Sequence, residues 1–293
     1  MARVLRVLNW PLVRLVLTIV LFAVLAFGLS VLVLGVLGAP STFLTVELVN
    51  LISIYAALLL VARVVERRPP AAIGLRRQGG VRDLAVGFAI GAGLMCVSVG
   101  VLALAGWYRV AAVEPGAAAL ALLASGLVLQ LNIGAFEEGL ARGVIFRDLE
   151  DALGSWPALV LSAAIFGLAH LANPEATLWG AIAIALEAGV LLAAAFMLTR
   201  SLWLPIGIHV SWNFVQGSVF GINISGSNLV QQSLITPAIS GPELWTGGAF
   251  GIEASPIVLV VSLAAGITML LLAVRRGHVV TPAWLQRARH RPG

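Results

Sequence analysis

The sequence predicts an all-α polytopic membrane protein, with about eight transmembrane helices. Three observations carry that prediction. Sixty per cent of the 293 residues are hydrophobic, 11% are charged, and the mean hydropathy is +1.03. A soluble domain carries roughly 25% charged residues, so this chain could not clothe itself against water. A soluble enzyme, a nucleic-acid reader and a disordered protein are excluded on that ground. Apolar runs of the roughly 20 residues that a bilayer demands recur along the chain. The basic residues fall between those runs in alternation, as the positive-inside rule requires of cytoplasmic connections.

The first run, 11–38, follows Arg3, Arg6 and Arg14. It is far longer than the roughly 7–15 residues of a signal-peptide core, and no small-x-small site precedes Pro40, so it reads as a retained span. The second covers 41–65 and leads into ERRPPAAIGLRRQGGV at 66–81, a cytoplasmic linker broken by Pro and Gly. The third is 82–106. The fourth, 117–141, is followed by a charged stretch to Asp151 that is expected to project into the cytosol. The fifth and sixth cover 156–172 and 176–199. The seventh, 203–221, carries Pro205 near its start, where a missing N–H does no harm. A Gly/Ser/Asn-rich outer loop, 221–254, precedes the eighth run at 254–274.

Seventeen of the 18 basic residues fit one topology with both termini in the cytoplasm, and only Arg109 falls on the other side. All 18 are Arg, which with the abundance of Ala, Gly, Val and Leu suggests a GC-rich bacterial genome. The single Cys96 permits neither an intramolecular disulfide nor a cysteine zinc site and reads as a small buried hydrophobe. No internal repeat supports an inverted-repeat transporter.

Charged residues within spans are costly, which makes them functional candidates. Three clusters stand out. Glu137 and Glu138 are adjacent in a helix and point about 100° apart. Glu138 can pair with Arg142 at i,i+4, which leaves Glu137 turned aside, on a stripe with the small residues Gly134 and Ala141. Phe166 and His170 share a face, as do His209, Asn213 and Gln216. The fourth and fifth helices turn near Gly154, and Glu137 and His170 both lie about 25 Å from that turn. With 142–153 in the cytosol, Glu137 is only about 8 Å deeper than Arg142, and His209 is about 12 Å in from the same side. The set therefore meets at one depth near the cytoplasm.

One carboxylate, two imidazoles and an amide, without a Ser–His pair, suit the activation of water. A carboxylate in an apolar cavity is a usable base near neutral pH, and an amide N–H can stabilise an oxyanion. Glu137, His170 and His209 could also hold one zinc ion with a position left for water, although the H-E-x-x-H signature is absent.

The order E-E-x-x-x-R (Glu137, Glu138, Arg142), F-x-x-x-H (Phe166, His170) and H-x-x-x-N (His209, Asn213) resembles the type II CAAX prenyl endopeptidase family. This is the CPBP/Abi group of intramembrane proteases, which includes bacteriocin-immunity proteins. The resemblance covers about 119–217 and extends weakly to T-G-G-A-F-G-I-E-A-S at 246–255. It implies an eight-helix core around a polar cavity open toward the cytoplasm, and three regions: N-terminal transmembrane helices and linker (1–110), a catalytic core (117–221), and an outer loop, last helix and basic cytoplasmic tail (222–293). It implies Glu137 as catalytic base, His170 as partner or metal ligand, and His209 and Asn213 as ligand or oxyanion stabilisers. Glu138 joins the catalytic set, and Arg142 and Phe166 support it. The implied partners are the bilayer and a hydrophobic, membrane-associated peptide or protein; an absence of charge on the inner helix faces argues against an acidic or highly basic one. A second reading is a non-catalytic scaffold, or a proton or small-solute carrier that uses Glu137, the histidines and the mid-span Glu187 as a relay.

Overall fold

The computed structural model describes residues 7–229 and 232–282. Arg3, Arg6, Arg287, Arg289 and Arg291, on which part of the topology rests, lie outside the described residues. Among the described residues, seven helices are long and apolar enough to cross a membrane. They are α1 (Pro11–Val36), α2 (Phe43–Glu66), α3 (Gly80–Leu104), α4 (Gly116–Leu153), α5 (Ser155–Ala172), α6 (Leu178–Thr199) and α8 (Pro256–Arg275). The remaining apolar run forms α7, 203–219, an α-helix of 11 residues continued by 6 residues of π-helix. It is shorter than the other seven and the most enclosed, every residue from Leu204 to Asn213 being buried.

α7 is the axis of the bundle, packed against α3, α4 and α6. Association between helices in lipid depends on close packing of small residues. A Cβ on Gly87 or Gly91 of α3 would lie 2.3 Å from the Leu204 carbonyl oxygen or 2.2 Å from that of Ile208, and one on Gly207 would lie 2.3 Å from that of Leu84. These three glycines let the two backbones touch. Gly134 serves the α4–α7 contact in the same way, since a Cβ there would meet Val210 at 2.8 Å. The space beside it is therefore filled by Val210 rather than left open next to Glu137.

The charged stretch after Arg142 departs from expectation. α4 runs unbroken to Leu153, with a π-helical segment at Gly139–Phe146, and Arg147, Asp148 and Glu150 are buried rather than solvated. Their partners come from other helices. Arg14 of α1 reaches Asp148 at 2.6 Å and Asp151 at 2.6 Å, Arg147 reaches Glu66 at 2.8 Å, and Arg200 reaches Glu150 at 2.5 Å. Buried charges persist where they are paired, and these arginines are what draws 147–151 into the bundle. Cys96 also differs from expectation: it is exposed on the outer surface of α3.

At the opposite end, two short strands pair antiparallel, Tyr108–Val113 with Ile235–Ile239, with a bulge between Val110 and Ala112. They tie the α3–α4 connection to the loop after α7. Tyr108 adds a hydrogen bond to the Phe220 carbonyl at 2.9 Å. This ribbon, within an otherwise helical fold, was not expected of the 221–254 loop.

Candidate active site

α4 delivers Glu137 and Glu138 at the last regular turn before its π-helical segment. Such segments recur at functional sites, and here two more flank the other polar side chains: Ala185–Gly189 holds Glu187, and Phe214–Val219 follows Asn213 and holds Gln216.

The two glutamates face different surroundings. Glu138 is fully buried, and its Oε1 accepts from Arg142 Nη1 at 2.7 Å and from His209 Nδ1 at 2.9 Å. Arg142 donates from Nη2 to the carbonyls of Ala188 and Gly189 on α6, both at 3.1 Å, and its guanidinium carbon stands 4.5 Å from the centre of the Phe166 ring. One arginine thus fastens α4 to α5 and α6. Glu137 lines an enclosed space instead, its side chain 28% exposed.

Because Glu138 is an acceptor, His209 carries its proton on Nδ1. Nε2 lies on the Glu137 side, 3.8 Å from Oε2 and outside hydrogen-bond distance. His170 is held likewise: its Nδ1 lies 2.8 Å from the Phe166 carbonyl, which can only accept, so Nε2 is again the free nitrogen. The Phe166 ring lies between the imidazoles, 4.9 Å from His170 and 6.1 Å from His209.

Glu137, His170, His209 and Asn213 all line one cavity of about 490 Å³, whose walls include Phe136, Leu140, Ile165, Leu191, Leu192 and Trp212. Glu138 and Arg142 are not among the lining residues. Two acids outside the sequence-derived set do line it: Glu47 on α2, and Glu253 in the turn before α8. The expectation that the inner faces lack charge is therefore corrected. Glu253 is 2% exposed and accepts from Ser225 Oγ and Gln216 Nε2, both at 3.1 Å, and from the Ser225 backbone N–H. Burial pushes its carboxyl above the ordinary carboxylate range, against the pull of these donors and of nearby His170. Only the G-I-E-A-S stretch hinted at Glu253; Glu47 gave no sequence signal.

The depth also changes. Phe43, Asn173, Pro174, Ser227 and Leu229 share the lining. Phe43 opens α2 and the other four belong to the arginine-free connections, at the end away from Gly154 and Arg200. With 142–153 inside the bundle, Glu137 lies about 24 Å along α4 from Leu153, not just beneath the arginine-rich end. The cavity thus lies toward the end of the bundle away from Gly154 and Arg200.

Zinc is matched in donor type. Two imidazoles with Nδ1 engaged and Nε2 free, beside a carboxylate, follow the usual pattern of zinc ligands and their supports. It is not matched in arrangement: among the described residues no three His, Cys, Asp or Glu side chains stand close enough together to hold a metal ion.

Residues 119–215 match the family model described as type II CAAX prenyl endopeptidase Rce1-like. The match spans all three motifs, agrees with the resemblance read from them, and supports a membrane-embedded CAAX-type protease at the level of the family. No curated protein and no solved structure matches the chain.

Proposed function

We propose that the protein is an intramembrane endopeptidase of the cell membrane, with Glu137 activating water to cut a hydrophobic, membrane-associated peptide or protein. The observation that carries this reading is the division of labour between adjacent carboxylates. Glu138 is committed to Arg142 and His209, whereas Glu137 meets the cavity with no arginine partner, facing the free nitrogen of His209.

Glu137 takes one proton of a water while His209 Nε2 accepts a hydrogen bond from its other hydrogen. The oxygen adds to the peptide carbonyl carbon, and the Asn213 side-chain amide donates to the resulting oxyanion. The C–N bond then breaks as Glu137 returns its proton to the departing nitrogen. His170, on the same wall, orients the peptide through its free Nε2. The apolar walls exclude bulk water and receive an extended segment, because carbonyls within a helix are already hydrogen-bonded. Zinc on Glu137, His170 and His209 would supply a more acidic water, but those side chains would first have to close together.

The arginine asymmetry supports a multi-pass protein with both termini in the cytoplasm. In that orientation the cavity is fed from the outer side or laterally from lipid. The deciding experiment is cleavage of membrane peptides by detergent-purified protein, wild type against Glu137→Gln. A scaffold or carrier predicts no cleavage that depends on Glu137.

A further inference from the structure

Nearly every buried carboxylate in this bundle has its own arginine. Glu66 pairs with Arg14 and Arg147, Asp83 with Arg76, Glu138 with Arg142, Asp148 with Arg14, and Glu150 with Arg200. That is the rule for charge in a low-dielectric interior, where an unpaired ion is costly. Two buried carboxyls break it among the described residues. Glu187 does not line the cavity, and neither of its oxygens has a hydrogen-bond partner. Glu253 does line it, and its position is fixed. Three donors from Ser225 and Gln216 set its direction, yet all three are neutral and none supplies a counter-charge.

The rest of the lining sharpens the point. Apart from the two imidazoles, no basic side chain lines the cavity, and the other acids there, Glu47 and Glu137, carry the same sign. The remaining wall is mostly apolar. A guest suited to such a space has a hydrocarbon stem and a cationic end, the form of an arginine or lysine side chain. A guest ending in a carboxylate beside the scissile bond meets like charge with no arginine to receive it.

We infer that Glu253, set by Ser225 and Gln216, is a specificity subsite that takes an arginine or lysine side chain of the substrate close to the bond that is cut. This rests on the proposed reading of the cavity as a peptide site. The substrate is then an apolar membrane segment interrupted by one basic residue, cleaved internally rather than trimmed from a free carboxyl terminus. A charge-assisted hydrogen bond within this enclosure separates basic from isosteric neutral residues by at least tenfold.

The test uses blocked peptides, acetyl-Leu-Leu-X-Leu-Leu-amide with X as Arg, norleucine or Glu, and the Arg peptide with a free carboxyl end. Their binding is measured by calorimetry on the detergent-purified Glu137→Gln protein, so that turnover is not needed. The expected order is Arg at least tenfold tighter than norleucine, with Glu and the free-carboxyl peptide weaker than their neutral counterparts. The Arg preference should vanish when Glu253→Gln is added and persist when Glu47→Gln is added. Equal binding of Arg and norleucine by the parent protein overturns the inference whether or not the Glu253 variant folds. So does a preference that survives Glu253→Gln or disappears with Glu47→Gln. Cleavage of the same peptides by wild-type protein is scored separately. Selective binding without cleavage counts against the protease reading alone, and cleavage indifferent to X counts against the subsite alone.

Discussion

Glu137→Gln and Glu138→Gln replace neighbouring carboxylates by the same amide, and the structure predicts opposite damage. Among the described residues Glu138 is the only acid in an ion pair with Arg142, a residue 1% exposed, and it also holds the His209 ring. Removing its charge leaves a buried cation with two carbonyls and an aromatic face. Breaking a buried pair from one side costs about 3–5 kcal/mol. For a chain of this size, about 2–4 °C of melting temperature per kcal/mol gives a drop on the order of 10 °C. Glu137 is partly exposed, and its closest polar side chain among these pairs is the His209 ring at 3.8 Å. Its amide variant should cost under about 1 kcal/mol, as at other weakly engaged positions, so melting should move by no more than about 4 °C. Peptide cleavage should nevertheless fall by at least about 10²-fold, the scale of a lost general base. The assay is thermal melting in detergent, followed by tryptophan emission, together with turnover of a membrane peptide on the same preparations. If Glu137→Gln melts as low as Glu138→Gln, or turns over at the wild-type rate, the division of roles is wrong.

Three further outcomes are expected. Reporters fused within 69–79 should read cytoplasmic and those within 232–240 external, and Ser227→Cys in a Cys96→Ser background should react with a membrane-impermeant maleimide added outside intact cells. Labelling only after the membrane is opened would return the site to the cytoplasmic side. Protein purified without a histidine tag should keep its cleavage activity through exhaustive chelation, whereas one zinc per chain, lost together with activity in His170→Ala, would refute the metal-free version. Gly91→Leu should abolish monodisperse protein on gel filtration, because even its Cβ would sit 2.2 Å from the Ile208 carbonyl oxygen one residue before His209; a folded, active variant would show that the α3–α7 contact does not set the position of that histidine.

The sequence was most informative where a local rule decides the outcome. Apolar runs of bilayer length mark the helices because lipid leaves the backbone no other partner. Helical spacing alone separated the two glutamates and paired Glu138 with Arg142. The level placement of Glu137 and His170 followed from equal chain lengths either side of Gly154, and both residues do line one cavity with His209 and Asn213. What stayed hidden depends on partners remote in the chain. Nothing near Asp148 announces that Arg14, 134 residues earlier, will bond to it at 2.8 Å. Without that contact, a run of charges after a span reads as its exit into water, whereas here it packs into the bundle.

The same ion pairs explain why charge content alone is a poor guide to function in this membrane chain. An intramembrane carboxylate is a functional candidate by default, yet Glu66, Asp148 and Glu150 hold helices together through Arg14, Arg147 and Arg200. Their distinguishing property is a permanent counter-ion from the same chain. A carboxylate that must act on water or hold a passing cation cannot be so occupied. Glu137 and Glu253 meet that condition, and both line the cavity. Glu138 fails it and lies behind the wall, though it is adjacent to Glu137 and belongs to the same motif. Lack of an arginine partner is not sufficient by itself, since Glu187 is equally unpaired but lies off the cavity; the acids we propose to work on a substrate combine that lack with a place in the cavity wall.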